Sequence, residues 1–153
     1  MSEKYRDLIQ QGNAAYLQFQ SAEAVENYNK ALRINPKGPD AIYNKGLALL
    51  ALGKFNESNE CFNLLLERNP KDPETWNNKG IVFHSLEKYS AAIKCFEKAL
   101  TLNPDVIDSW YYKGASLRAT GKKEESDKCF AQYQALIKVT SRKLKTDRSQ
   151  KLM

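Results

Sequence analysis

Nearly the same five residues recur three times in the chain, as IYNKG at 42–46, WNNKG at 76–80 and WYYKG at 110–114. The copies begin 34 residues apart, and a looser copy, LIQQG at 8–12, keeps the same spacing. The prolines repeat with this period: Asn-Pro pairs lie at 35–36, 69–70 and 103–104, and the other two prolines, Pro39 and Pro73, are also 34 residues apart. A fixed period of this size indicates an array of stacked structural repeats.

Between the prolines, apolar residues recur at helical spacing. Ile42, Leu49 and Leu50 share one helical face, and Phe55 and Phe62 lie on another after a break at Gly53. Proline at the first turn suits a helix start, because the amide it lacks would have no partner there. Each period is therefore predicted to form two helices. The predicted helices are 3–17, 21–34, 39–52, 55–68, 73–86, 89–102, 106–120 and 123–137.

A glycine lies in the middle of the first helix of every period, at Gly12, Gly46, Gly80 and Gly114. Glycine at such a position costs up to about 1 kcal/mol relative to alanine, so its recurrence predicts a packing constraint. The second helices carry a small residue at a matching place, followed four residues later by an aromatic residue: Ala24, Ser58, Ala92 and Ser126, then Tyr28, Phe62, Phe96 and Phe130. We expect the small residues of the two helices to face each other, with the ring beside the contact.

This combination resembles the tetratricopeptide-repeat family. The third period meets the family pattern with Trp76, Gly80, Phe83, Ala92, Phe96, Ala99 and Pro104, and the resemblance covers about residues 5–137. It implies an all-α fold, a right-handed superhelical solenoid of four helix-turn-helix hairpins plus a C-terminal capping segment. The implied division is four repeats in 1–137 (about 5–38, 39–72, 73–106 and 107–137) and a basic C-terminal tail or capping helix in 138–153.

The resemblance also implies that the first helices line a concave groove that binds a segment of a partner protein. The groove candidates are Asn13, Tyr43, Asn44, Leu47, Asn77, Asn78, Ile81, His84, Tyr111 and Tyr112. Asn44 and Asn78 match asparagines with which many family members hold the backbone of an extended peptide, since an amide both donates and accepts. The alternative is that these asparagines are only solvated. The pattern favours a protein–protein interaction scaffold or adaptor.

Two features of the groove bear on its ligand. Family members that bind the C-terminal carboxylate of the large heat-shock chaperones use five groove residues, three of which are cationic. This sequence has Ile9, Glu74 and Asn78 at those three positions. A partner of that clamp type is therefore not expected. Asp40, Glu74 and Asp108 form an acidic row that favours an apolar segment with basic residues. The alternative is that these acids complement the dipoles of their helices.

The net charge of +6 is concentrated at the C-terminus. Residues 138–153 hold six basic residues and one acid, which gives +5 and leaves +1 for residues 1–137. One interpretation is a tail that binds nucleic acid or an acidic surface, with the repeats as scaffold or self-association module. The other is a helix that caps the last repeat, favoured by an apolar stripe at Leu136, Ile137, Val139, Thr140 and Leu144.

Catalytic chemistry, metal binding and cofactors are not expected. Cys61, Cys95 and Cys129 occupy equivalent places in successive repeats, about 8–10 Å apart, beyond the limit of about 7 Å for a disulfide. His84 is the single histidine, so no histidine metal cluster or catalytic triad can form. No apolar run reaches a membrane span, and the start MSEKYRDLIQQ is too polar for a signal peptide. A cytoplasmic or nuclear protein is expected.

Overall fold

A computed structural model describes the backbone of residues 2–151 and the side chains of residues 2–144. The described residues form helices only, joined by short turns: α1 Glu3–Leu17, α2 Ser21–Ile34, α3 Pro39–Ala51, α4 Phe55–Arg68, α5 Pro73–Ser85, α6 Tyr89–Leu102, α7 Ile107–Ala119 and α8 Lys123–Lys151. They pair into four hairpins, and each hairpin contacts only its neighbours along the chain. The predicted all-α solenoid of four helix-turn-helix hairpins is confirmed.

The helix limits agree with the prediction to within one residue, except at the end of α8. This helix does not stop at residue 137 but continues to Lys151. Residues 138–151 contain neither glycine nor proline, so nothing in the sequence interrupts the helix. Residues 138–144, whose side chains are described, are exposed. The basic segment is therefore helical, and its role as a cap stays a prediction.

The turn inside each hairpin contains one residue with a positive φ, at four positions 34 residues apart. Gly53 and Gly121 have φ values of 72° and 81°, and Phe19 and Glu87 have 60° and 59°. A left-handed residue ends a helix and turns the chain toward the next one. Glycine adopts this conformation without strain, whereas phenylalanine and glutamate do not. The first and third turns are therefore strained.

The aromatic residue of each second helix lies directly over the glycine of the first helix. A Cβ atom placed on Gly80 would lie 2.5 Å from a ring carbon of Phe96, and one on Gly12 would lie 2.5 Å from the ring of Tyr28. This corrects the expectation that the ring lies only beside a contact between small residues. The small residue contributes a hydrogen bond in the second repeat, where the Ser58 hydroxyl donates to the Gly46 carbonyl at 2.8 Å.

The three cysteines are buried, unpaired thiols at equivalent places in α4, α6 and α8. Burial raises the pKa of the Cys95 thiol to about 11, so the thiol is protonated at neutral pH. No group of three or more potential metal ligands occurs among the described side chains. Within the described helices there is also none that is long and apolar enough to cross a membrane.

Candidate functional site: the concave face of the first helices

An amide pair joins the first helices of repeats one and two. The Asn44 side-chain nitrogen donates to the Asn13 side-chain oxygen at 3.0 Å, and the same oxygen accepts from the Tyr28 hydroxyl at 2.8 Å. Among the described side chains, the Asn13 amide nitrogen and the Asn44 amide oxygen make no hydrogen bond. The pair therefore presents a free amide NH2 group on Asn13 and a free amide oxygen on Asn44.

Two clefts meet at this amide pair, because both are lined by Asn13 and Asn44. The first has a volume of about 490 Å³ and is also lined by Ile9, Asp40, Tyr43, Leu65 and Asp72. The second, of about 320 Å³, is lined by Tyr16, Leu17, Tyr28 and Leu47. Both volumes fall in the range of sites that hold a ligand group, and the linings combine apolar side chains with a few polar ones.

The two asparagines of the third repeat are placed differently from Asn44. Asn77 is only 3% exposed, and its side-chain oxygen accepts from the Ser109 hydroxyl at 2.7 Å. It is enclosed between α5 and α7, so its prediction as a groove residue is wrong. Asn78 is 8% exposed and donates to the Tyr43 hydroxyl at 2.8 Å. Asn78 therefore holds the Tyr43 ring in place.

The C-terminal half of the concave face is aromatic. The His84 ring lies 5.4 Å from Tyr89 and 5.5 Å from Tyr112, and the Tyr111 and Tyr112 rings are 5.3 Å apart. Edge-to-face contacts of this kind hold the rings in fixed positions. Tyr111 is exposed despite these contacts. The cluster offers a rigid apolar surface to a ligand.

The tautomer of His84 follows from its hydrogen bonds. Its Nδ1 atom lies 2.9 Å from the Ser116 hydroxyl oxygen, and that hydroxyl donates to the Tyr112 carbonyl at 2.8 Å. A hydroxyl has one hydrogen, so Ser116 must accept from His84 Nδ1. Burial lowers the pKa of His84, which favours the neutral ring. The Nε2 atom is then a hydrogen-bond acceptor.

Four carboxylates form an acidic edge where the first helices of repeats two to four begin: Asp40, Asp72, Glu74 and Asp108. Burial raises the pKa of Glu74, and the negative charges of Asp72 and Asp108 raise it further. None of the four forms an ion pair with any residue among 2–144. Asp72 accepts from the backbone amide and the hydroxyl of Thr75, which leaves its charge uncompensated by a cation.

Seven of the ten predicted residues fall into two groups. Asn13, Tyr43, Asn44 and Leu47 line the clefts. His84, Tyr111 and Tyr112 form the aromatic cluster, and Ile81 is half-buried on α5.

Sequence reasoning missed part of the larger cleft. Leu65, Arg68 and Asn69 line it from the end of α4, together with Asp72 from the following turn. Arg68 is held there because its guanidinium donates to the Lys37 carbonyl at 2.9 Å. These residues were missed because the groove was assigned to first helices alone. Their position beside the Asn-Pro turn at 69–70 is the signal that could have identified them.

Comparison with known proteins identifies the repeat. Profiles described as tetratricopeptide repeat match residues 39–72 and 73–106, and one described as TPR repeat matches residues 12–53. An uncharacterised protein of Methanocaldococcus jannaschii is 39% identical over 57 residues, which are 37% of this chain and 62% of that protein. The chain thus matches less than two thirds of that relative.

Solved structures share the fold at low sequence identity. A MamA structure from Desulfovibrio magneticus has a TM-score of 0.81 at 21% identity, covering 88% of this chain and 76% of that one. A thermophilic TPR protein of Thermus thermophilus has 0.77 at 20%, covering 86% and 74%. The Sgt2 TPR domain of Aspergillus fumigatus has 0.73 at 22%, covering 80% and 83%.

The repeat fold supports a protein-interaction scaffold in general terms. The matched profiles together span residues 12–106, which is more than half of the chain, and the four hairpins extend the same architecture beyond them. The chain therefore belongs to the tetratricopeptide-repeat family.

Proposed function

We propose that the protein is an interaction scaffold or adaptor that binds an extended segment of a partner protein on its concave face. The observation that carries the proposal is the amide pair of Asn13 and Asn44, which leaves a free amide NH2 group and a free amide oxygen between two clefts. An extended peptide exposes both kinds of group along its backbone and directs successive side chains to opposite sides. The pair can hold one peptide unit while neighbouring side chains enter the clefts.

Other parts of the concave face set the preferred sequence of the segment. The aromatic cluster at His84, Tyr111 and Tyr112 suits an apolar or aromatic side chain. The acidic edge favours lysine or arginine and disfavours a carboxylate. For this reason we also propose that the protein does not bind the C-terminal carboxylate of a chaperone. The proposed role involves no catalytic step or cofactor, and we assign it to the cytoplasm or nucleus.

The test uses short random peptides displayed on phage and selected on the wild-type protein. Affinities of the selected peptides are then measured for Asn44→Ala and for Asn56→Ala, an exposed asparagine on α4 outside the concave face. One lost hydrogen bond contributes about 0.5–1.5 kcal/mol, so Asn44→Ala should weaken binding about two- to tenfold. Asn56→Ala should bind like wild type. Equal affinities for the folded Asn44→Ala variant would place the site elsewhere.

Asn78 provides a second, indirect test of the same surface. Its hydrogen bond to Tyr43 positions a ring that lines the larger cleft. Asn44→Ala combined with Asn78→Ala should therefore weaken the selected peptides further, by roughly five- to a hundredfold in total. Circular dichroism and thermal melting of the double variant separate lost binding from lost structure.

The basic end of the chain supports a second candidate function, binding of RNA or DNA. The helical segment from residue 138 is exposed where its side chains are described, and residues 138–153 carry a net charge of +5. Each phosphate contact contributes a slope of about 0.7 to 0.9 in log affinity against log salt. Lys138→Gln with Lys143→Gln should lower that slope, whereas Lys30→Gln with Lys94→Gln, on the second helices, should not. An unchanged slope would eliminate this candidate.

A further inference from the structure

We infer that the acidic edge and the larger cleft of one molecule bind the basic helical segment 138–151 of a second copy of this chain. This inference rests on the proposed function in that it assigns an occupant to the same concave face. The occupant is a helix, whose backbone groups are paired internally, so it contacts the cleft and the acidic edge through its side chains. Its basis is the complementarity between the larger cleft, in repeats one and two, and the segment that continues α8 past repeat four. One is acidic and apolar, and the other is basic and apolar.

The helical segment extends beyond the end of the solenoid. Tyr111 of α7 contacts Tyr133 of α8, with ring centroids 5.3 Å apart, and the two helices are antiparallel. Because α7 begins at Ile107, four residues before Tyr111, its first residue is level with about residue 137 of α8. Residues 138–151 therefore project past the helix that α8 packs against.

The described side chains of segment 138–151 combine exposed apolar residues with exposed lysines. Val139 is 62% exposed and Leu144 is 65% exposed, and Lys138 and Lys143 are exposed beside them. A basic helix that carries isolated apolar side chains fits an acidic surface with an apolar cleft. Residues 138–153 hold six of the 24 basic residues of the chain and one of its 18 acids, so this end of the chain has a large excess of positive charge.

The receiving surface has the opposite character. The cleft of about 490 Å³ is lined by apolar side chains and by the carboxylates of Asp40 and Asp72. Its one cationic lining residue, Arg68, donates to the Lys37 carbonyl and forms no ion pair with either carboxylate. Glu74 and Asp108 continue the acidic edge along the next two repeats. No cation among residues 2–144 pairs with any of these four carboxylates. Cationic side chains of a ligand would therefore supply the missing charge partners.

The dimensions of the two surfaces agree. Segment 138–151 is about 21 Å long at about 1.5 Å per residue. Four first helices packed about 8–10 Å apart span about 24–30 Å, so one segment fits along one concave face. The segment cannot reach the clefts of its own molecule, because α8 is unbroken to Lys151 and has no turn that could bring it back to α1 and α3. A segment 138–151 that occupies these clefts must therefore belong to a second copy of the chain.

The test measures self-association of full-length chains by sedimentation velocity. A groove variant carries Asp40→Asn, Glu74→Gln and Asp108→Asn, and a tail variant carries Lys138→Gln, Lys143→Gln and Lys145→Gln. The matched control carries Glu26→Gln, Glu60→Gln and Glu124→Gln, which removes the same number of acids from the second helices. Circular dichroism first confirms that every variant is folded and helical.

The wild-type and control proteins should self-associate at about 0.1 M salt and dissociate at about 1 M, where the Debye length falls from about 10 Å to about 3 Å. The groove and tail variants should each associate at least about tenfold more weakly. A mixture of these two variants should form a one-to-one complex, because it pairs an intact groove with an intact tail.

Three results would overturn the inference: a wild-type protein that stays monomeric, a groove variant that associates like wild type, and a mixture that recovers nothing. The second result would place the contact outside the acidic edge. These results can be told apart from a failure of the proposed function. If only this inference is wrong, displayed peptides will still bind the wild-type protein, and Asn44→Ala will still weaken their binding.

Discussion

Replacing Gly80 by alanine tests the contact that defines each hairpin. The new Cβ atom would lie 2.5, 2.7 and 2.8 Å from three ring carbons of Phe96, so the ring would have to move by most of an ångström to restore normal contact. Phe96 has no exposed surface and stacks on Tyr112 with centroids 6.2 Å apart, which leaves it no space to move. Overpacking of this kind costs about 1–3 kcal/mol.

The better helix propensity of alanine offsets up to about 1 kcal/mol of that cost. With the full offset, the net loss of stability for Gly80→Ala should be up to about 2 kcal/mol, or a fall in melting temperature of up to about 8 °C. Gly114→Ala is the matched control, because its Cβ would meet Cys129 and Phe130 at 3.2 Å and a small adjustment suffices. That variant should be close to wild type. Gly80→Leu should lose considerably more stability than Gly80→Ala.

Urea unfolding followed by circular dichroism provides the measurement, and a double-mutant cycle isolates the contact. With Phe96→Leu as background, Gly80→Ala should cost less than in the wild type, because the branched side chain leaves room where the ring was. Equal stabilities of Gly80→Ala and Gly114→Ala, or the same loss in both backgrounds, would refute the assignment of the ring to the glycine.

Three further predictions concern the turns, the acidic edge and the thiols. Phe19→Gly should raise the free energy of unfolding by up to about 1 kcal/mol, because it removes the strain of a positive φ. Gly121→Ala should lower that free energy by about as much. No atom lies within 4 Å of the Cβ position of residue 121, so only the backbone strain changes. Glu74→Gln should raise the melting temperature at pH 7, because the pKa of Glu74 is raised in the folded state and its ionisation therefore destabilises that state. The gain should disappear below about pH 4, where Glu74 is protonated in both the folded and the unfolded protein. A thiol reagent should react slowly with the native protein, because all three thiols are buried and burial raises their pKa values. After denaturation the same reagent should count three cysteines per chain.

The helices and their pairing were predictable because their signals are local and repeated. Pro39 and Pro73 mark helix starts, and the recurring glycine and aromatic residue identify the two facing helices. Because the same pattern occurs four times, a helix placed wrongly in one repeat would have disagreed with the helices of the other three. The fold therefore follows from the sequence to within about one residue at most helix ends.

The concave face was less predictable, because burial there depends on how one repeat packs on the next. Asn77 occupies the place that Tyr43 has one repeat earlier, where the side chain is half-buried, yet Asn77 is enclosed by α7 and bonded to Ser109. This partner belongs to the next repeat and lies 32 positions away in the sequence, so the local pattern could not identify it. Whether α8 continues past residue 137 was left open between a tail and a capping helix, since the repeat pattern ends at 137 but no helix-breaking residue follows.

Because each hairpin contacts only its neighbours along the chain, the array of hairpins is elastic. A small rotation at each of the three junctions between hairpins adds up along the array, so the curvature can change without breaking any one interface. The donor and acceptor of Asn13 and Asn44 come from adjacent hairpins, and the same is true of the hydrogen bond from Asn78 to Tyr43. A ligand that spans these junctions would therefore restrict the rotation between adjacent hairpins.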